Sequence, residues 1–245
     1  MSVPSRGRRA APERVKAEIA PLAALLGGAA LALGFGLLAE AVMTGTTTGL
    51  DRDVLLALRM NADPADPIGP PWLEEAARDL TALGSNAVLG IVVLASVVYL
   101  VFVGKSKVAL LLVASLVGGI VLVSALKIGF ARPRPDIVPP LARVFTASFP
   151  SSHAALSAAV YLTLGALLAR IVEPRQIKLF FVGLAVCLTL IVGVSRIYLG
   201  LHYPTDVVAG WCVGAAWAMI CWSVALYLQR RGGIERPGAG PRGQA

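Results

Sequence analysis

The chain alternates long apolar runs with short polar patches, and six of the runs read as helices able to cross a bilayer. They cover about 20–42, 85–103, 108–126, 152–170, 179–195 and 207–228. A spanning helix needs about 20 apolar residues, with a usual range of roughly 17–25. The fourth and fifth runs are the shortest, and they reach that length when the helix continues into flanking polar residues. Residues 43–84 form the one long connection. Its two halves, DRDVLLALRM and WLEEAARDLTALG, have amphipathic helical spacing around a Pro-rich break at 64–71. Trp72 and Leu73 suit an interfacial position. The segment is expected to be a passive surface connection, with a lid or lipid-guiding element as the alternative.

Composition agrees with this pattern. Of 245 residues, 57% are hydrophobic and 15% charged, and the mean hydropathy is +0.76. A soluble domain of this length would need far more polar surface, so the expected class is an all-α, polytopic membrane protein with six bundled helices. Its parts are a basic N-terminus at 1–19, a membrane domain at 20–228 and a disordered tail at 229–245. The net charge of +8 does not indicate nucleic acid, because the basic residues sit at the ends of apolar runs, where they set orientation. Arg6, Arg8, Arg9, Arg14 and Lys16 precede the first run, and Ala39-Glu40-Ala41 offers a signal-peptidase pattern. That run exceeds the ~7–15 residues of a signal-peptide core, so it reads as a retained helix.

With the N-terminus inside, the cytoplasmic pieces 1–19, 104–107, 170–178 and 229–245 hold fourteen of the twenty-two Lys and Arg. The positive-inside rule and an even number of spans then put both termini in the cytoplasm, most naturally of a bacterial inner membrane. Cys187, Cys212 and Cys221 lie within apolar runs without metal-like spacing and read as small packed residues. Gly210-x3-Gly214 permits close helix approach. No inverted repeat of the kind found in many transporters is visible.

Ionisable groups collect at the outer ends of the spans under this topology. Lys127 closes the third span and is followed by Arg132 and Arg134; Pro150-Ser151-Ser152-His153 opens the fourth; Arg196 closes the fifth; His202 and Asp206 precede the sixth. Basic groups at this face oppose the topological trend and gain a rationale if they bind a dianion, with Arg forks on its oxygens. Ser151 and Ser152 sit where the fourth helix starts, a ready anion site. His202 and Asp206 are four apart, so with Pro204 in a first helical turn the carboxylate can fold back on the imidazole. One ring nitrogen is then oriented and the other is free to attack. His153 is placed to protonate a leaving oxygen. Such a set suits phosphoryl transfer, which depends mostly on positioning and electrostatics.

Lys127-x6-Arg134-Pro135, Pro150-Ser151-Ser152-His153 and Ser195-Arg196-x5-His202-x3-Asp206 together resemble the three-part signature of the type 2 phosphatidic acid phosphatase superfamily. The resemblance implies metal-independent hydrolysis of a lipid phosphate or diphosphate through a phosphohistidine. It implies His202 as nucleophile, Asp206 as its orienting carboxylate and His153 as acid. Lys127, Arg134, Ser151, Ser152 and Arg196 become the phosphate ligands. Ser152 stands where the family usually has Gly, which still leaves a backbone N–H and makes a positive φ less favourable. Arg132 lies outside the strict signature, as either a phosphate neighbour or a surface charge. No Asp/Glu/His cluster of a two-metal phosphatase and no P-loop is present, so no cofactor or metal is expected. Expected partners are the lipid phosphate and membrane lipids: undecaprenyl diphosphate first, then phosphatidate, phosphatidylglycerol phosphate or lipid A phosphates. A phosphotransferase to a second acceptor and a lipid transporter with a phosphate-binding gate are the alternatives.

Overall fold

The computed structural model describes residues 10–61, 63–138 and 146–230. These residues form eight helices: α1 (Ala10–Met43), α2 (Thr48–Ala57), α3 (Pro71–Ala82), α4 (Asn86–Phe102), α5 (Ser106–Phe130), α6 (Ser152–Ile171), α7 (Arg175–Tyr198) and α8 (Pro204–Arg230). The only β pairing among them is an isolated bridge between Arg59 and Pro67. Stretches of α1, α5, α6, α7 and α8 are long and apolar enough to cross a membrane. α3 and α4, joined at a 49° bend, make a sixth only when taken together as one bent span, α4 alone having 17 residues. The all-helical membrane expectation holds, with five spans or six if that bent pair is one.

The helices run longer than the apolar runs that predicted them. α7 extends four residues upstream of its run and three downstream, and α1 begins at Ala10 within the basic stretch. Polar residues continue a helix readily when its backbone bonds have no better use, and the apolar centre has already nucleated it. Residues 1–9 and 231–245, which contain most of the expected cytoplasmic termini, lie outside the described residues.

α6 is the centre of the bundle, packed against α4, α5, α7 and α8, while α1 lies along α8 and α3 against α7. Leu89, Val93, Leu112, Leu116, Leu156 and Val160 form the main core between α4, α5 and α6. The outer faces carry Leu26, Leu33, Ile91, Phe102, Leu110, Val121 and Phe180 exposed, the apolar belt a bilayer would cover. Gly210 and Gly214 set the α6–α8 distance. A Cβ on Gly214 would stand 2.1 Å from the Ala155 carbonyl oxygen, and one on Gly210 would be 2.6 Å from that of Ser151. The small-residue pair therefore brings the start of α8 directly onto the start of α6.

Three expectations need correction. The 43–84 segment is not a passive connection: Asp51 and Leu55 of α2 are fully buried, and Tyr198 Oη donates to the Ile68 carbonyl at 2.8 Å. Leu73 is not interfacial with its neighbour Trp72, since it packs on Tyr198, Leu199 and Leu201 while Trp72 stays exposed. The three cysteines are not uniformly packed: Cys221 is buried, Cys212 intermediate and Cys187 exposed on α7.

Candidate active site

All the predicted residues converge at one end of the bundle, because α5 and α7 end there and α6 and α8 begin there. α5 stops at Phe130 with Ala131 in the left-handed region (φ 46°), and Pro133 and Pro135 prevent its continuation. This puts Lys127 in its last turn and leaves Arg132 and Arg134 on an extended segment. α6 starts after Ser151, whose backbone is extended. The Ser151 N–H donates to the Asp206 carbonyl at 2.9 Å, fastening the two helix starts together. Ser152 is the first helical residue and keeps a negative φ, so its N–H is one of the unpaired donors of a helix start.

The α7–α8 corner is built from two end signals. Gly200 (φ 68°) closes α7: its N–H donates to the Ile197 carbonyl at 2.9 Å, and the Leu201 N–H reaches the Arg196 carbonyl at 3.1 Å. This paired closure is the Schellman motif. α8 then opens at Pro204, and Asp206 reaches back to accept from the Tyr203 N–H at 3.0 Å, half of a capping box. His202 is held in the short corner between them, with 1% of its surface exposed.

Two contacts fix the His202 tautomer. Nδ1 lies 3.4 Å from Asp206 Oδ2, which only accepts, so Nδ1 carries the proton. Nε2 lies 3.2 Å from Arg134 Nη1, which only donates, so Nε2 holds the lone pair. Burial pushes the imidazole down to about 3, against the opposing pull of Asp206, and keeps it neutral at physiological pH. Ser148 lies between the pair. Its Oγ is 3.3 Å from His202 Nδ1 and makes a short hydrogen bond to Asp206 Oδ2.

Around Nε2 the charge is unbalanced. Lys127 donates to the carbonyls of Ala147 and Ser148, and Arg134 to those of Thr146 (2.8 Å) and Leu201 (2.6 Å), so both are aimed by backbone oxygens. Arg196 has one weak contact, to Thr81 Oγ1 at 3.4 Å. Its Nε and the Ser151 Oγ are buried without a hydrogen-bond partner. Burial lowers the Arg134 guanidinium from its ordinary value, partly opposed by Asp206. His153, at the second position of α6, is within electrostatic reach of Arg196, His202, Arg134 and Lys127. The bend between α3 and α4 closes over it: a Cβ on Gly84 would be 3.2 Å from both the Cβ and the carbonyl oxygen of His153.

Arg132 is not a surface charge, its side chain being 12% exposed. It bridges two carboxylates, Asp206 at 2.6 Å and Asp51 at 2.8 Å, and stacks 4.3 Å over the Tyr203 ring. Burial works against its charge, but Asp206 and Asp51 together raise it above the ordinary arginine value. With Asp51, Arg132 and Ser148 included, four cations face two carboxylates beside a neutral His202. The surplus of two positive charges matches a phosphate dianion. Asp51 and Ser148 were missed by the sequence reading. Ser148 carries no local signal, while Asp51 stands out only as an acidic residue on an otherwise apolar helix face.

The PAP2 superfamily model matches residues 107–230, which contain every residue of the predicted signature. The chain belongs to the PAP2 superfamily. Two relatives align with it as well. Phosphatidylglycerophosphatase B of Bacillus subtilis is 30% identical over 75% of this chain and 87% of its own. An undecaprenyl-diphosphatase of Sulfolobus acidocaldarius is 31% identical over 47% and 54%. Among solved structures, the transmembrane PAP2-type phosphatidylglycerolphosphate phosphatase of B. subtilis superposes with a TM-score of 0.76 at 27% identity, covering 83% of this chain and 98% of that one. Aquifex aeolicus LpxE gives 0.51 at 28% identity, covering 63% and 88%. This PAP2 chain is thus a membrane-embedded phosphatase.

Proposed function

We propose that the chain hydrolyses a lipid phosphate monoester, or the terminal phosphate of a lipid diphosphate, by two displacements through phosphorylated His202. The observation that carries this reading is the surround of His202 Nε2: a lone pair facing surplus positive charge, with Ser151 Oγ and Arg196 Nε unpartnered beside it. Phosphate oxygens would meet Lys127, Arg134, Arg196, Ser151 and the Ser152 N–H. In the first step the Nε2 lone pair forms a bond to phosphorus, the P–O bond to the lipid breaks, and His153 gives its proton to the departing oxygen. Asp206 then faces a positively charged imidazolium at Nδ1–H. In the second step His153 takes a proton from water as the water oxygen bonds phosphorus, and the P–N bond breaks to release inorganic phosphate. Charge concentrated at a preorganised site is the main source of rate in such transfers.

The names of the relatives define the substrate panel. Phosphatidylglycerol phosphate heads it, ahead of the polyprenyl diphosphate that sequence alone put first, because the relatives so named match over more of both chains. The site opens on the outer side, as the distribution of Lys and Arg supports. Purified protein in detergent is expected to release phosphate from at least one lipid in the panel. His202→Ala should reduce turnover by roughly 10³-fold or more, and the acid-labile phosphoenzyme trapped in the native chain should vanish. Native turnover in this variant would sink the mechanism.

A further inference from the structure

The arm at 43–84 brings a buried carboxylate to the site that the steps above do not use. Asp51, in the first turns of α2, has none of its surface exposed and lies outside the residues matched by the family model. Its Oδ2 accepts from Arg132 Nη2 at 2.8 Å and Thr205 Oγ1 at 2.7 Å, and its Oδ1 from the Thr205 N–H at 3.0 Å. Thr47 Oγ1 adds a longer contact of 3.4 Å. Arg132 turns its other terminal nitrogen to Asp206 Oδ1 at 2.6 Å and to Thr205 Oγ1 at 2.9 Å.

The consequence falls on Asp206. A carboxylate rotates freely about its last torsion unless both oxygens are engaged. Here Oδ1 is held by Arg132, which aims Oδ2 at Ser148, the Tyr203 N–H and His202 Nδ1. A guanidinium with no second partner prefers to take both oxygens of one carboxylate as a fork. Without Asp51, Arg132 would draw Asp206 into that pairing and turn Oδ2 away from the imidazole.

We propose that Asp51 is a positioning residue for the phosphoryl-transfer reaction, occupying one half of the Arg132 fork so that Asp206 keeps one oxygen on His202. This rests on the reading of His202 and Asp206 as nucleophile and orienting group. It makes the outer arm part of the catalytic apparatus, since α2 supplies the end of a chain that runs Asp51, Arg132, Asp206, His202.

The test is a double-substitution cycle on the full-length chain in detergent. Asp51→Asn is expected to lower kcat about tenfold, the scale of one charge-assisted hydrogen bond, while KM and orthovanadate inhibition stay within about twofold, because the phosphate ligands are untouched. In an Arg132→Gln background the same substitution should cost nothing more, since its effect travels through Arg132. A native kcat in Asp51→Asn would overturn the inference. So would a loss that adds to that of Arg132→Gln, or one that appears in KM and vanadate affinity. If Asp51→Asn does not fold, Arg132→Lys decides: an ammonium lacks the rigid fork that assigns one terminal nitrogen to each carboxylate, so kcat should fall about tenfold at unchanged KM, and a native kcat refutes the role. His202→Ala separates the two readings. Full activity in that variant removes the nucleophile assignment, whereas an inactive His202→Ala beside a native Asp51→Asn removes only the role of Asp51.

Discussion

At the scale of single residues, the site is held short of full satisfaction. Two of its four cations, Lys127 and Arg134, rest on backbone carbonyls, yet Ser151 Oγ and Arg196 Nε are buried with nothing to bond. Such a group costs the folded chain about 1–3 kcal/mol in lost hydration, and it returns the cost only when an anion arrives. Ser151→Ala should therefore leave Tm unchanged or slightly raised and weaken orthovanadate inhibition about tenfold, as for a hydrogen bond to a charged group. Thermal unfolding and inhibition by vanadate, measured on the same preparation, check both halves. A fall in Tm with unaltered inhibition would make Ser151 a structural residue. The spacing of motif residues made Ser151 legible as a candidate ligand. Its lack of a partner was not legible, because that depends on which carbonyls fall nearby after folding.

Between elements, the site depends on the distance between α6 and α8. Gly210-x3-Gly214 read in the sequence only as permission for close approach. The structure uses both positions, with Gly214 closest to the α6 backbone. Gly214→Ala would press a methyl group into the Ala155 carbonyl and separate the starts of the two helices. Overpacking of this kind costs roughly 1–3 kcal/mol, and activity should fall with it because Ser151 and Asp206 share a hydrogen bond across the gap. Gly34→Ala in α1, where an added Cβ meets nothing within 4 Å, should keep both Tm and activity. Equal behaviour of the two variants would mean that the helix spacing is not limiting. The helices themselves were legible because each apolar run comes close to the length a bilayer demands. Their ends were less so: α5, α7 and α8 continue past the apolar stretch until Ala131, Gly200 and Pro204 set the limit.

Over the whole molecule, α1 starts and α8 finishes at the end of the bundle opposite the candidate site, and the 43–84 arm covers that site from one side. The orientation is tested by cysteine labelling in a chain whose Cys187, Cys212 and Cys221 are replaced by Ala. Asp66→Cys, on the arm, should react with a membrane-impermeant maleimide in intact cells. Lys107→Cys, in the first turn of α5, should react only after permeabilisation. The reverse pattern would turn the site to the cytoplasm.

The sequence by itself determined the class of molecule and the candidates for its chemistry. Apolar length forces spanning helices when no water is available to the backbone, and an ordered set of His, Asp, Lys and Arg at helix ends leaves few uses besides holding a phosphate. Both are properties of short stretches, legible one stretch at a time. Tertiary structure alone decided the state of the groups: the neutral tautomer of His202, the Ser148 bridge, the salt bridges of Arg132 and the recruitment of Asp51 from an arm that reads as a surface loop. Asp51 is 81 residues from Arg132 and 154 from Thr205. Hydrogen bonds of about 3 Å between such positions follow no sequence period. They exist because helix packing fixes which polar groups are buried together, and buried polar groups must pair.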